Sequence, residues 1–259
     1  MEYFDTHAHY DDAQFDKDRE EVLNKIQKAN VTKCIDVGCS IETSQKAVDL
    51  AKKYDFIYAI CGIHPSEISD TEKNILEDID KIKKMILEND KIVAVGEIGL
   101  DYHYDGINEK MQQFAFTEQI KLANELNLPI SIHTRDAIDD TIAIIRKYKI
   151  NNQGILHCCP FNRELVKHGL ENGLYIAFGG TSTFKNSKNA CEIVNLVPDD
   201  RILIETDCPY LAPDPLRGTR NDSSNLKYVV QKLAEFRGKD AEYIAKITYA
   251  NATNLFFKK

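Results

Sequence analysis

The chain has 259 residues, 43% of them hydrophobic, and a formal net charge of −8. That length suits one α/β barrel or two small domains, with apolar residues enough for a substantial core. The acidic balance argues against a globally basic surface for nucleic acid or anionic membrane, and no segment approaches the roughly 18 apolar residues of a membrane span.

The N-terminus shows no basic region followed by an apolar run, so no signal peptide is expected. Seven cysteines, an odd number, are scattered through apolar segments. They read as reduced thiols of a cytoplasmic protein, and the adjacent Cys158 and Cys159 as small buried residues rather than a bridge.

The first element is "YFDTHAHY". Strand alternation places Asp5, His7 and His9 on one face. Two imidazoles side by side in a core are costly unless something binds them. Either this face is wet or the pair holds a metal. The segment "DREEVLNKIQKAN" follows, a helix with Val22, Leu23, Ile26 and Ala29 on one stripe. Next come two buried strands, "KCIDVGC" and "IYAICGIHP". The helix "EKNILEDIDKIKKMILEND" repeats Ile75, Ile79, Ile82 and Ile86 at helical spacing. The strand "IVAVGEIGLD" leads to "EKMQQFAFTEQIKLANELN", with Met111, Phe114, Ile120 and Leu122 on its apolar face. The strands "PISIHTR", "GILHCC", "LYIAFGG" and "ILIETDCP" complete a set of eight. The tail after about residue 222 reads as helical and closes the barrel.

Strands alternating with amphipathic helices demand a parallel sheet with helices outside it. Without a Gly-rich phosphate loop, the pattern favours a closed (β/α)8 TIM-like barrel over a Rossmann sheet. No internal repeat, low-complexity tract or linker divides the chain, so residues 1–259 read as a single domain.

Active sites of such barrels lie at the C-terminal ends of the strands. His7 and His9 end the first strand and His64 the third. Glu97 lies late in the fourth. His133 and Arg135 end the fifth, His157 the sixth, and Glu205 and Asp207 the eighth. Five of the seven histidines fall at such ends; His103 and His168 do not. Each residue alone has a plainer structural role, such as a strand cap for His64 or a loop anchor for Glu205. Neutral imidazole suits zinc, iron, nickel or manganese, and carboxylates also hold magnesium. Four histidines and two carboxylates can hold two metals sharing one bridging carboxylate. Such a site can activate water and clamp both the entering and leaving oxygens of a phosphate.

The ordered motifs "DTHAH", "GIHP", "GEIGLDYH", "SIHTRDA", "GGTSTFKN", "ETDCPYLAP" and "RGTRN", with His157 at a strand end, resemble the TatD family of metal-dependent deoxyribonucleases in the amidohydrolase superfamily. The resemblance runs nearly end to end. It implies a TIM-like barrel with a divalent-metal site. By position, His7, His9, Glu97 and Asp207 match the ligands of a first metal. Glu97, His133 and His157 match those of a second, with Glu97 bridging. Two departures bear on substrate preference. "HCCPFN" stands where the family commonly has "HCFSG", and Asp222 and Ser223 follow "RGTRN" where "EP" is usual.

The resulting expectation is a hydrolase of DNA phosphodiester bonds, a 3′–5′ exodeoxyribonuclease using a metal-activated water and two divalent ions (Mg, Mn or Zn). Asp207 orients that water and takes its proton, Glu97 bridges, and Glu205 orients a neighbouring ligand. Because the protein is acidic, local groups must hold the phosphates: His64, Arg135, Arg217 and Arg220 are the candidates, each arginine having a salt bridge as its plainer role. Phe161, Tyr102, Tyr104 and Tyr210 follow strand ends and are candidates to stack on a terminal base. The expected partner is DNA, single-stranded or frayed at its 3′ end, met by a monomer away from membranes. A second reading is a small-molecule amidohydrolase or lactonase with a carboxylate-bridged pair of metals. Glu97 at the place of a bridging lysine argues against the lysine-bridged branch. A third is a metal-holding barrel that serves only as a binding module.

Overall fold

A computed structural model describes residues 1–257. Its strands are β1 (Tyr3–Ala8), β2 (Val31–Val37), β3 (Ile57–Cys61), β4 (Ile92–Asp101), β5 (Ile130–Arg135), β6 (Gly154–Leu156), β7 (Leu174–Phe178) and β8 (Ile202–Ile204). Between them run α1 (Arg19–Lys28), α2 (Ile41–Lys53), α3 (Glu72–Leu87), α4 (Glu109–Leu126), α5 (Ile138–Lys147), α6 (Arg163–Glu171) and α7 (Ala190–Leu196). After β8 come α8 (Leu226–Arg237) and α9 (Ala241–Phe257). The strands pair in parallel, in chain order from β1 to β8. The seam between β8 and β1 is bridged by Asp207 N–H to the His7 carbonyl (2.9 Å), His9 N–H to the Cys208 carbonyl (2.8 Å) and Thr6 Oγ1 to the Ile204 carbonyl (3.0 Å). The result is the nearly closed TIM-like barrel that the alternation of elements demands.

Local chemistry sets the helix boundaries. Ser40 and Thr43 form a reciprocal capping box at the start of α2. Thr71, Asn108 and Asn162 accept backbone N–H groups at the starts of α3, α4 and α6. Asn127 (φ 55°) and Gly238 (φ 57°) end α4 and α8 in the left-handed region. The apolar stripes face inward: Val22, Leu23 and Ile26 of α1 are buried, as are Ile75, Ile79, Ile82 and Ile86 of α3. Burial of each such side chain contributes about 1.5–3 kcal/mol. On α4 the buried stripe is broader than its apolar residues. Met111 and Phe114 are only half-buried, while Gln112 and Gln119 are buried.

Those two glutamines clamp strand ends. Gln112 bonds both the N–H (2.8 Å) and the carbonyl (2.9 Å) of Asp101. Gln119 does the same to Ile63, at 2.8 and 3.0 Å, one residue before His64. These side-chain amides pair backbone groups of Asp101 and Ile63 near the ends of β4 and β3, where ladder partners run out.

The barrel interior is filled by Phe4, Ile35, Ile60, Ala94, Ile155, Ala177 and Leu203, packed against Ala252 and Leu255 of α9. Helix α9 thus plugs the N-terminal end of the barrel, and the polar site is left at the opposite end. No helix among the described residues is long and apolar enough to cross a membrane.

Two register shifts aim the polar residues. Between Asp5 and Ala8, β1 advances three residues while β2 advances two, from Cys34 to Asp36. Between Val95 and Ile98, β4 likewise advances three against two on β5, from Ile130 to Ile132. Each is a bulge, and one extra residue reverses the side-chain phase. This corrects the simple alternation that groups Asp5 with His7 and His9. Asp5 instead accepts hydrogen bonds from Thr206 Oγ1 (2.6 Å) and Ser223 Oγ (2.6 Å), beside β8. Burial there pushes its carboxyl up to about 7 against those bonds.

Candidate metal centre

At the C-terminal end of the barrel, Glu97 stands in the middle of a ring of imidazoles. Its Oε2 lies 3.4 Å from His7 Nε2. Its Oε1 lies 2.9 Å from His133 Nδ1, 3.3 Å from His157 Nε2 and 3.9 Å from His64 Nε2. On the Oε2 side, His7 Nε2 and His9 Nε2 are 3.2 Å apart, and Asp207 Oδ1 is 3.3 Å from His9 and 3.8 Å from His7. The two oxygens of one carboxylate therefore face two different donor sets.

The donor sets fit metal ions. Donors about 2.0–2.1 Å from one ion lie about 2.8–3.0 Å apart as octahedral neighbours and about 3.3–3.4 Å apart in tetrahedral geometry. Most of the separations above fall in or near that range. His7, His9 and Asp207 converge as one group, and Glu97, His133 and His157 as another.

Outer contacts fix the rings. His9 Nδ1 lies 2.8 Å from the Val37 carbonyl, which assigns the proton to Nδ1 and leaves Nε2 for the centre. His157 Nδ1 lies 3.2 Å from Glu205 Oε1, an oxygen that also accepts the Cys158 N–H. The His7 and His157 rings stack 3.6 Å apart. His133 Nε2 lies 3.3 Å from Asp101 Oδ2.

The electrostatics favour charged carboxylates. Burial opposes the charge on Glu97, yet His157, His7, His64 and His133 outweigh it and hold the group well below the usual carboxylate range. Burial also opposes the charge on Asp207, and His9, His157 and His7 hold it low. Burial and the charge of His157 push His7 down. Burial pushes His64 down to about 4 despite Glu97.

The structure brings together His7, His9, Glu97, His133, His157 and Asp207, with His64 and Glu205 against them. The three arginines lie elsewhere on the rim. Arg135 is exposed, its guanidinium 5.5 Å from the Tyr104 ring centroid. Arg217 is exposed and lies 3.8 Å over the Phe184 ring. Arg220 is tied to both Asp18 oxygens and the Gln14 carbonyl and covers Phe15. Of the four aromatic candidates, Tyr104 and Tyr210 are exposed. Tyr102 is half-buried and donates to Asp140, and Phe161 stacks on Phe178. His103 pairs with Asp136 and His168 with Glu171, outside the cluster. No disulfide forms among the seven cysteines. Ser223, one of the two departures after "RGTRN", has a structural role in holding Asp5, and Asp222 pairs with Lys25 at 2.5 Å.

Two residues of the site were missed in the sequence. Asp101 follows Glu97 by four residues, and the strand period of two would have placed it on the same face. Cys39 lies two residues past β2, with Sγ 3.7 Å from Glu97 Oε2. The strand-end rule that found the histidines applies to it equally.

Comparison with known proteins places the chain among metal-dependent hydrolases. The chain matches the family model described as TatD related DNase over residues 4–257. It is 42% identical to an uncharacterized metal-dependent hydrolase, YabD of Bacillus subtilis, over 98% of each chain. It is 31% identical to the 3′–5′ ssDNA/RNA exonuclease TatD of Cronobacter sakazakii, again over 98% of each. Among solved structures, YJJV, a TatD homolog from Escherichia coli K12, superposes with a TM-score of 0.91 at 28% identity, covering 99% of this chain and 98% of that one. With its barrel, its divided carboxylate and these relatives, the chain belongs to the TatD family of metal-dependent hydrolases.

Proposed function

We propose that the protein hydrolyses phosphodiester bonds of DNA, removing nucleotides from a free 3′ end at a centre of two divalent ions. The observation that carries this reading is the division of the Glu97 oxygens between two donor sets. Two ions bound there supply Lewis acidity and lower the pKa of water, in known sites to about 7. Asp207, ionised and 17% exposed at the mouth, orients the attacking water and accepts its proton. Glu205 holds His157 by the nitrogen turned away from the centre. His64 and Arg135, at the rim, meet the phosphates, with Arg217 further along the loop after β8; Arg220 is engaged with Asp18.

Two further features support action at an end. The site is a concave mouth ringed by loops, which admits a terminal nucleotide more readily than the middle of a stiff duplex. The net charge of −8 argues against tracking along a strand by a global basic field. The Cronobacter relative, named for single-stranded DNA and RNA, makes RNA a necessary arm of any test.

The test is a labelled linear strand beside a closed circle of the same sequence, as DNA and as RNA, with Mg²⁺, Mn²⁺ or Zn²⁺. Stepwise shortening of the linear DNA from its 3′ end, with the circle intact, is expected. Equal cleavage of the circle would point to an endonuclease. Inertness on both, with hydrolysis of a lactone or cyclic amide, would transfer the assignment to a small-molecule amidohydrolase.

A further inference from the structure

We infer that the cavity between the β3–α3 and β4–α4 loops seats the nucleoside of the terminal nucleotide and prefers bases with an exocyclic amine. The inference rests on the nuclease reading above. The cavity has a volume of about 300 Å³. Small-ligand sites span about 300–1,000 Å³, so this one has room for a single nucleoside rather than two.

Its position ties it to the metal centre. Asp101 lines the cavity and also lies 3.3 Å from His133 Nε2. Pro65, on the cavity wall, directly follows His64. A nucleoside in the cavity therefore sits beside the ligand cluster, the placement that release of a 3′-terminal nucleotide requires of its 5′ phosphate.

Its chemistry excludes the phosphate itself. No lysine or arginine lines the cavity, whereas Asp70 and Asp101 do. Pro65, Ile68 and Ile107 supply apolar walls for the faces of a planar base, and Tyr104 stands at the rim. Tyr104 is 60% exposed, a large cost in apolar surface for a ring with nothing to cover, and the Arg135 guanidinium braces it at 5.5 Å. Asn108 spends its side-chain oxygen on the α4 cap, at 3.3 Å from Met111 N, which leaves its amide N–H groups for a ligand. Asp70 is exposed and makes no side-chain hydrogen bond or ion pair among the described residues.

Carboxylate oxygens accept hydrogen bonds and cannot donate them. Adenine, cytosine and guanine each present an exocyclic amine, whereas at the matching position thymine presents a carbonyl oxygen that a carboxylate repels, its one donor being the ring N3–H. A strand ending in dC should therefore lose its last nucleotide faster than the same strand ending in dT. One hydrogen bond to a charged group predicts a kcat/KM ratio of about tenfold or more.

The experiment compares release of the terminal nucleotide from single strands that differ only in a 3′ dC or dT, using the metal-loaded full chain. Asp70→Asn should bring the ratio toward one, and Ile107→Trp, which fills the cavity, should raise KM on both strands, with metal content held in each variant. The thermal transition of each variant separates a local effect from misfolding. Equal release of dC and dT by the unaltered protein, or a ratio unmoved by Asp70→Asn, overturns the pocket and leaves the nuclease reading standing. Release of neither overturns both.

Discussion

Glu205 stands 3.2 Å from Nδ1 of His157, on the ring edge opposite the nitrogen that meets Glu97. A buried carboxylate in that place fixes the ring orientation and raises its basicity as a ligand. Glu205→Gln keeps an acceptor for the Cys158 N–H but removes the charge. It should weaken binding of the metal on the His133–His157 side by about 10–100-fold. Competition with a chelator reads this directly. Unchanged affinity would reduce Glu205 to an anchor for the Cys158 backbone.

Metal uptake should be coupled to proton release. In the metal-free protein, burial opposes the charge on His9, but Asp207, Glu97 and Asp11 raise it to about 10. Burial likewise opposes the charge on His157, and Glu205 and Glu97 raise it to about 9. Both rings are therefore protonated at neutral pH and must be neutral to bind. Metal affinity should climb with pH and level off above about 10. The stability of the metal-free fold has the opposite sign. These two rings contribute fully below an unfolded pKa of about 6.5, and the contribution is lost as pH rises through the folded values. Melting curves of metal-free protein between those limits should shift downward with pH. Calorimetry in buffers of different ionisation enthalpy counts the protons released on metal addition.

Asp207 faces His9 and His7 and remains 17% exposed, against 4% for Glu97 and 0% for Glu205, so on the proposed mechanism it is the carboxylate placed both to hold the first metal and to meet water. Asp207→Asn keeps the shape and removes the base. Turnover should fall by about 100-fold or more. The decisive comparison is turnover per bound metal. Near-normal turnover with both metals in place would take Asp207 out of the chemistry.

The two arginines that flank the mouth should behave differently. Arg135 stacks on Tyr104 and makes no ion pair among the described residues, so Arg135→Ala should raise KM for a DNA strand while metal content holds. Arg220 ties the loop after β8 to Asp18 in the loop before α1. Its replacement by alanine should lower the melting temperature more than it alters KM. A large KM effect from Arg220→Ala with an unchanged melting temperature would return it to the substrate.

Much of this was legible in the chain. The eight strands and the end at which their polar residues gather follow from alternation and from where each apolar run stops. What alternation could not show is the pair of bulges. A one-residue insertion in β1 turns Asp5 to Thr206 and Ser223 while His7 keeps the interior. Nothing in "YFDTHAHY" marks that extra residue, because the bulge depends on pairing with β2. The glutamine clamps were hidden for the same reason: Gln112 and Gln119 look like the polar face of α4 until β3 and β4 are laid beside them. Arg220 shows the limit for surface charges, since its partner Asp18 is 202 residues away in the chain.

Gly99 offers the sharpest test of how the second donor set is held. It lies in β4 two residues after Glu97, with φ +143°, and pairs with His133 across the sheet. A Cβ built there would stand 1.9 Å from the His133 carbonyl oxygen, inside any van der Waals limit. That oxygen belongs to rigid backbone and cannot swing aside as a side chain would. Gly99→Ala must therefore displace β5 from β4 at the residue that supplies His133. The expected result is loss of metal from the Glu97–His133–His157 side with retention on the His7–His9–Asp207 side, seen as a fall from two equivalents to about one by elemental analysis. The far-UV circular dichroism should remain that of a folded α/β protein, because the clash is confined to one strand pair. Full metal content in a folded Gly99→Ala protein would show that β4 and β5 can part here without moving His133, and would remove the glycine from the design of the site.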